Sequence, residues 1–261
     1  MHDVAGSRWF GWLGRAGLCA QGTIHAIIGV LAIEVAVGLG GKTANQSGAM
    51  VALAHEPFGK VLLVVLAAGL LAFAAWRLVR AIAGHGPEGS DDALQRVGGI
   101  FAGLGYGALF VTAIVILVGS RPASGSPDKP TGGVLGWPGG QILIAGVGAV
   151  LIGVGLWQGY VGVRRKFLEE TRTDRMGEKV RKAFTGLGVF GHLARMVVLT
   201  LIGYFLIKAA IDFDPRQAVS IDGALTALSK ASYGPAVLGV VAAGLLAFAV
   251  YSFVDAPYRR V

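Results

Sequence analysis

The sequence Ala-Ala-Gly-Leu-Leu-Ala-Phe-Ala occurs at Ala67–Ala74 and again, unchanged, at Ala242–Ala249. Each copy lies inside an apolar stretch long enough to cross a bilayer, which needs about 20 residues of helix. An octapeptide repeated in this setting indicates that a membrane helix was duplicated along the chain. The repeat therefore predicts a helical membrane protein that was built from copied units.

The composition of the chain also favours a membrane location. Of its 261 residues, 54% are hydrophobic and 15% are charged, whereas an average soluble domain has about 25% charged residues. Low charge is typical of lipid-embedded chains because ionised groups are costly at membrane depth. The 42 glycines suit membrane helices whose backbones approach each other closely.

Six apolar stretches are long enough to span a membrane as helices. A helix is expected in each because every backbone polar group must be hydrogen-bonded internally within lipid. The stretches are Ala16–Gly38, Val61–Ala83, Val97–Gly119, Gln141–Gly162, Val189–Ile211 and Ala236–Val254. The first is too long for the apolar region of a cleaved signal peptide, so we expect no cleavage at the N-terminus.

Lys and Arg are distributed unequally between the two predicted sides of the membrane. One side carries 15 of them and the other carries 7, with Arg195 inside a span, which accounts for the total of 23. Because Lys and Arg are enriched in cytoplasmic loops, both termini are predicted to be cytoplasmic. The net charge of +8 is explained by the excess of Lys and Arg on the cytoplasmic side and by contact with anionic lipid headgroups. No nucleic-acid partner is expected.

The repeat extends beyond the octapeptide. Glycines of the first two spans match glycines of the last two at an offset of 174 or 175 residues: Gly17, Gly29, Gly59 and Gly69 correspond to Gly191, Gly203, Gly234 and Gly244. A corner of proline, glycine and an aromatic residue precedes the second span of both copies, at Pro57-Phe58-Gly59 and Tyr233-Gly234-Pro235. Trp137-Pro138-Gly139-Gly140 reproduces this corner, so the middle pair of spans is interpreted as a third, more diverged copy.

These matches predict the organisation of the whole chain. Residues 1–86, 87–163 and 188–261 are expected to form three repeats of two transmembrane helices each, and residues 164–187 a basic cytoplasmic connector. Because each repeat has an even number of spans, every copy enters the membrane from the same face. The expected fold is an all-α membrane protein in which six transmembrane helices form three parallel two-helix repeats, arranged as a pseudo-threefold bundle.

At this point the chain resembles a family of bacterial inner-membrane proteins with three tandem two-helix repeats, called domain of unknown function 1206. The resemblance covers nearly the whole chain and rests on Gly14-Arg15-Ala16-Gly17, Pro57-Phe58-Gly59-Lys60 and Gly191-His192-Leu193-Ala194-Arg195. It implies the fold and a multi-pass location in the bacterial inner membrane, but no chemistry. Many members carry Ala-Arg-Gly where this chain has Ala20-Gln21-Gly22, which argues against two symmetric buried arginines.

Polar residues at membrane depth are the first candidates for a functional site, because a charge at a helix centre costs roughly 2.5–3.5 kcal/mol. Gln21 and His25 lie one turn apart on one face of the first span, and Arg195 lies one to two turns into the fifth. They are candidates for a polar path or a binding site. The alternatives are a hydrogen-bonded packing role for His25 and an Arg195 that reaches to the membrane interface.

The repeat alignment also places opposite charges at equivalent depths. Glu34 aligns with Lys208, and Arg80 with Asp255. We expect Glu34 to pair with Lys208 near the outer face and Arg80 with Asp255 near the inner face, if these positions face the bundle axis. The alternative is that each side chain extends separately to its nearest interface.

The cytoplasmic connector is rich in basic residues, namely Arg172, Arg175, Lys179, Arg181 and Lys182. Met176, Val180, Phe184 and Leu187 recur among them at helical spacing. This pattern predicts an amphipathic helix on the membrane surface whose basic residues face anionic lipid headgroups. A solvated connector and a docking site for a partner protein are the alternatives.

Two further patterns concern loops and small residues. Short interfacial helices are expected within Gly48–Ala54 and Gly223–Ser229, and an irregular connection over Arg121–Pro138. Small residues form a ridge on the third span, at Gly99, Gly103 and Gly107, which could pack on Ala149/Gly153 or Gly155/Gly159 of the fourth. The alternative for such small-residue faces is contact with a partner protein or a second copy of the chain.

Function is less constrained by the sequence than fold. No His, Cys and carboxylate residues have metal-ligand spacing and no nucleophile–base group stands out, so no catalytic residue, metal or cofactor is expected. A non-enzymatic membrane module that binds lipid or a partner subunit is favoured. A small-solute or ion channel or carrier along the pseudo-threefold axis is the alternative, and an intramembrane enzyme ranks third. A hydrated polar lumen would favour the channel, and an axis filled by Leu, Phe and Ala would favour the module.

Overall fold

The computed structural model of the protein describes residues 8–39, 46–83, 93–119, 128–219 and 221–259. Within these ranges the chain is α-helical and contains no strand. The helices are α1 (Arg8–Ala36), α2 (Gln46–His55), α3 (Gly59–Ala83), α4 (Ala93–Leu117), α5 (Asp128–Leu135), α6 (Gly140–Val163), α7 (Glu178–Ile211), α8 (Ile221–Ser229) and α9 (Gly234–Tyr258). Three short 3₁₀ turns lie at Lys166–Leu168, Thr173–Arg175 and Pro215–Gln217.

Five of the described helices are long and apolar enough to cross a membrane: Gly11–Ala36 of α1, Gly59–Val79 of α3, and the whole of α6, α7 and α9. In α4 the apolar run is shorter and covers Ala102–Leu117. The sixth predicted span is thus a helix, but its apolar part is shorter than those of the other five. The protein is a multi-pass helical membrane protein with five candidate spans among the described residues.

The six long helices pack as a curved row in the order α4, α3, α1, α9, α7 and α6. The largest contacts join α6 to α7, α1 to α9 and α3 to α4. In terms of the predicted repeats, the first helix of each repeat therefore packs on the second helix of a different repeat. Helices α1 and α3 also pack on each other, as do α7 and α9, whereas the described parts of α4 and α6 form no comparable contact.

One hydrophobic core joins α1, α3, α4, α7 and α9. Its buried side chains include Ile24, Ile28, Leu66, Leu70, Ala113, Val198 and Leu245. Helix α6 lies outside this core and packs with α5 and α7 around Ile144, Leu206 and Ala209. Because lipid tails are as apolar as this core, the helices associate through close packing and not through transfer out of water.

The closest helix crossings occur at glycines. A Cβ atom built on Gly148 of α6 would lie 2.7 Å from the carbonyl oxygen of Gly203 on α7, and one built on Gly203 would lie 2.5 Å from that of Gly148. The backbones of α6 and α7 are therefore in contact, which only a pair without side chains allows.

The two copies of the octapeptide are packed in the same way. A Cβ atom on Gly17 of α1 would overlap the side chain of Phe73, and one on Gly191 of α7 would overlap Phe248. Phe73 and Phe248 are the equivalent residues of the two octapeptides, and Gly17 and Gly191 are equivalent in the alignment. The repeat thus conserves a contact and not only a hydrophobic pattern.

The small-residue ridge of α4 has a different partner from the one predicted. Gly99 faces Ala81 of α3, and a Cβ atom on Gly103 would lie 2.6 Å from Leu78, whereas Gly107 has open space. Gly155 of α6 contacts α7 instead, at Thr200. The expected packing between the third and fourth spans is therefore wrong, because each of these helices uses its small face on a different neighbour.

The three predicted corners share one backbone geometry. The residue before the first glycine of α3, α6 and α9 has a positive φ angle: 62° at Phe58, 79° at Gly139 and 58° at Tyr233. A Cβ atom at Gly59, for example, would lie 1.8 Å from a carbonyl oxygen of α2. The glycine at each helix start is required because the preceding short helix crosses against its backbone.

The short helices before these corners match the sequence only in part. Helices α2 and α8 confirm that short helices form within Gly48–Ala54 and Gly223–Ser229, and their position at the membrane interface stays a prediction. The irregular connection expected at Arg121–Pro138 is wrong for Asp128–Leu135, which forms α5, while residues 120–127 lie outside the described ranges.

The predicted amphipathic surface helix is also wrong, because α7 begins at Glu178 and continues without a break for 34 residues to Ile211. Met176 and Phe184 are buried in a cluster with Phe167, Phe248 and Tyr251. The apolar face of the connector therefore packs on α9 and on the 3₁₀ turn before it. The exposed residues of the connector include Arg175, Lys179, Arg181 and Lys182, together with Val180.

Candidate functional site

One end of the bundle collects most of the polar side chains. Helices α1 and α9 are antiparallel, since Gly22 approaches Ala249 and Gly29 approaches Ala242. The amide of Arg172 donates to the carbonyl of Tyr258, at 2.8 Å. The start of α1, the 164–177 segment and the end of α9 therefore lie together, and we call this end of the molecule the basic end.

Gln21 and His25 lie on α1 as predicted, with different surroundings from those of a wet path. Gln21 is buried, and the ring of His25 donates from Nδ1 to the carbonyl oxygen of Gln21, at 2.8 Å. The His25 ring centroid lies 4.9 Å from that of Phe248. His25 is thus hydrogen-bonded one turn back and packed on an aromatic ring, which is the packing role of the two predicted.

Arg195 is packed beside the same phenylalanine. Its guanidinium carbon lies 4.5 Å from the ring centroid of Phe248. When the side-chain amide of Gln158 is oriented with its oxygen toward Arg195, that oxygen accepts hydrogen bonds from the two terminal nitrogens of Arg195, at 3.0 and 3.1 Å. Arg195 thus does not simply extend to the interface, because a side chain of α6 and a ring of α9 hold it inside the bundle.

A second arginine, Arg77 of α3, has an equivalent environment. Its guanidinium carbon lies 5.0 Å from the ring centroid of Phe73 and 5.4 Å from that of Trp76. Its Nε atom is buried without a hydrogen-bond partner. Each copy of the octapeptide therefore places its phenylalanine beside an arginine: Phe73 beside Arg77, and Phe248 beside Arg195.

Tyr106 of α4 completes this group. Its ring meets that of Phe73 edge-on, with centroids 4.6 Å apart. Tyr106 and Arg77 thus share the ring of Phe73, and Arg195 lies within electrostatic range of both. We call Arg77, Arg195 and Tyr106 the arginine cluster. The sequence placed Arg77 among the basic loop residues, and its position one turn after Phe73 in the octapeptide is the signal that could have found it.

Of the two predicted charge pairs, only the outer one can be compared with the described side chains. Lys208 is exposed, Glu34 is partly buried, and no ion pair joins these two described residues, so the structure does not form the outer pair. The side chain of Arg80 lies outside the described part of the chain. Its expected partner Asp255 is bound elsewhere, by residues near the end of α9.

Asp255 is the centre of a buried latch between the 164–177 segment and α9. Its carboxylate accepts from the hydroxyl of Thr171, at 2.6 Å, and from Nη1 of Arg259, at 2.9 Å. Arg259 also contacts the carboxylate of Glu170. Asp255 and Thr171 are both fully buried, so the segment is fixed to the bundle by a satisfied ionic network.

The basic residues of the connector lie outside this latch. Arg175, Lys179, Arg181 and Lys182 are exposed, and Lys182 pairs with Glu178 one turn away, at 2.7 Å. Within the described ranges, no group of three or more His, Cys, Asp or Glu side chains could hold a metal ion.

A family model, Domain of Unknown Function (DUF1206), matches the chain three times, at residues 16–84, 97–165 and 190–259. The three matches establish a three-repeat architecture, and the middle match includes the more diverged copy. The chain is 31% identical to "Uncharacterized protein YxxB" of Bacillus subtilis (strain 168) over 256 aligned residues. The alignment covers 97% of this chain and 92% of that protein. No solved structure matches the chain. The resemblance read from the sequence is thus confirmed, and the chain belongs to the DUF1206 family.

Proposed function

We propose that the protein is a non-enzymatic module of the bacterial inner membrane that binds lipid or a partner subunit. In this proposal six helices span the membrane as three parallel two-helix repeats about a pseudo-threefold axis, with α4 as the shortest span. The observation that carries the proposal is the continuous apolar core between α1, α3, α4, α7 and α9. Leu70 and Ala113 within it are completely buried, so the centre of the bundle is filled by aliphatic side chains.

A filled core argues against a solute path, because channels and carriers line their paths with polar groups or charges. We expect liposomes that contain the purified protein to pass potassium, inorganic phosphate and glycerol no faster than protein-free liposomes. Flux that depends on the protein and is lost in Arg195→Gln would replace this proposal with the channel or carrier.

The internal hydrogen bonds of the polar groups within the bundle support a non-enzymatic role. The rings of His25 and His192 both donate to backbone carbonyls one turn earlier, at 2.8 and 2.7 Å. Asp255 is held by Thr171 and Arg259. These groups therefore serve packing and fixation, whereas a general acid or base must reach a substrate.

The placement of basic residues supports cytoplasmic termini. Arg175, Lys179, Arg181 and Lys182 are exposed at the basic end, where each could contribute on the order of 1 kcal/mol with anionic headgroups. In a Cys19→Ala background, we expect Leu39→Cys to react with an impermeant thiol reagent in intact cells. Lys179→Cys should react only after the cells are opened, and its labelling in intact cells would reverse the orientation.

A further inference from the structure

The arginine cluster carries positive charge that the described part of the protein does not neutralise. Arg77 and Arg195 lie within long apolar helices, and neither forms an ion pair with a described carboxylate. A single charge placed at the centre of a membrane helix is already costly, and two like charges that interact add repulsion. Two such cationic groups close together within membrane helices are typical of sites that bind an opposite charge.

We propose that Arg77, Arg195 and Tyr106 form a binding site for a phosphate group, carried by an anionic lipid headgroup or by inorganic phosphate. The inference deepens the proposed function and rests on it, because a module that binds membrane lipid needs a place for the headgroup. Three helices supply the site: α3 carries Arg77, α4 carries Tyr106 and α7 carries Arg195.

The framework under the two arginines is rigid. Phe73 and Phe248 lie beside the guanidinium groups and are themselves seated on Gly17 and Gly191, where a Cβ atom would overlap them. Both rings are buried. The cationic groups are thus held in place by apolar packing and not by counter-ions, which is the arrangement of a site that is ordered before its ligand binds.

The donors left over suit phosphate. A guanidinium has five N–H donors in a planar fork that matches phosphate oxygens. Gln158 accepts from Arg195, while Nε of Arg77 has no hydrogen-bond partner. The phenol of Tyr106 can add an O–H donor, so the proposed site combines donors from two guanidinium groups and one phenol.

The cluster is open to a ligand. Arg77, Tyr106 and Arg195 are all only partly buried, although their helices are packed. Helices α4 and α6 stand at the two ends of the helix row, and their described parts are not packed on each other. In the proposed site, a phosphate group approaches from the basic end, and a lipid enters between α4 and α6 with its chains still in the bilayer.

The test uses the full chain in dodecyl maltoside micelles and measures the midpoint of thermal unfolding as ligand is added. The probes are dioleoylphosphatidylglycerol, dioleoylphosphatidylcholine and, separately, inorganic phosphate. A ligand that binds only the folded state raises the midpoint by mass action, and the dependence on concentration gives its affinity. The variants are Arg77→Gln, Arg195→Gln and Arg195→Lys, with Arg216→Gln as a control that removes an exposed charge away from the basic end.

We expect the wild-type protein to bind one of the two anionic probes at least about tenfold more tightly than phosphatidylcholine, a difference of about 1.4 kcal/mol. Either glutamine variant should lose this preference, and Arg216→Gln should keep it. A preference for phosphatidylglycerol identifies a lipid headgroup, whereas stabilisation by inorganic phosphate identifies the free anion.

Two results would overturn the site. The first is that the wild-type protein binds neither anionic probe more tightly than phosphatidylcholine. The second is that Arg216→Gln loses as much of the preference as the cluster variants do. If the glutamine variants do not fold, Arg195→Lys keeps the charge but not the planar fork, and it should bind about tenfold more weakly. Phosphate flux together with binding would leave the site standing and remove the proposed function, so the two failures are distinguishable.

Discussion

Replacing Gly148 by alanine tests the packing of α6 on α7 directly. The new methyl group would lie 2.7 Å from the carbonyl oxygen of Gly203 and 2.7 Å from Cγ1 of Ile207. Non-bonded carbon atoms prefer about 3.5–4.0 Å. The two helices must therefore separate by roughly 1 Å, or Ile207 must leave its rotamer, at the closest crossing in the molecule.

The expected cost follows from this overlap. Inserting one extra carbon into a tight core destabilises proteins by about 1–3 kcal/mol, and here one of the two contacts is with backbone, which cannot rotate away. Gly146→Ala is the matched control, because it lies two residues earlier on α6 and has nothing within 4 Å of its Cβ position. We expect the control to be neutral or slightly stabilising, since alanine is the better helix former.

Unfolding in mixed micelles of dodecyl maltoside and increasing SDS, followed by circular dichroism, measures the difference. Gly148→Ala should lower the free energy of unfolding by about 1–3 kcal/mol relative to Gly146→Ala. Equal stability of the two variants would mean that the backbones of α6 and α7 are not in contact at Gly148 and Gly203.

The same unfolding measurement checks two further features. Asp255→Ala should cost about 3 kcal/mol, because it removes the buried carboxylate that both Arg259 and Thr171 contact. Glu169→Ala, on an exposed neighbour of the latch, should have little effect. Equal effects of the two variants would mean that the latch does not stabilise the fold. Gly139→Ala should lower the free energy of unfolding by about 1 kcal/mol, because alanine is strained at a positive φ angle. Gly133→Ala, which also has open space around it, should leave the free energy of unfolding unchanged. A Gly139→Ala variant as stable as the wild type would refute the corner geometry.

Much of the local structure could be predicted from sequence because the signals are local. Long apolar runs specify helices in lipid whatever surrounds them. The glycine corners were visible at Pro57-Phe58-Gly59 and its two counterparts, because a positive φ angle and a close backbone approach restrict the residue type. The repeat was visible for the same reason, since the equivalent glycines Gly17 and Gly191 each accommodate a phenylalanine.

The choice of partners was harder to predict. A small-residue face on α4 is equally suited to packing on α3 or on α6, because any helix can approach a small-residue face closely. The connector was misassigned because apolar residues at helical spacing fit a bilayer surface as well as a neighbouring helix. Arg77 was missed because a basic residue near the end of a span indicates an interfacial position when only the sequence is known. The aromatic rings of Phe73, Trp76 and Tyr106 around it are visible only in the structure.

The large contact between α1 and α9 has a consequence for how the protein is made. Translation delivers α1 before α9, so α1 is made before its main neighbour exists. A truncated chain that lacks α9 would lose the packing of Gly22 on Ala249 and of Gly29 on Ala242. The N-terminal and C-terminal helices then close the molecule together, and a permuted gene that fuses these ends and begins at another loop should still yield the same bundle.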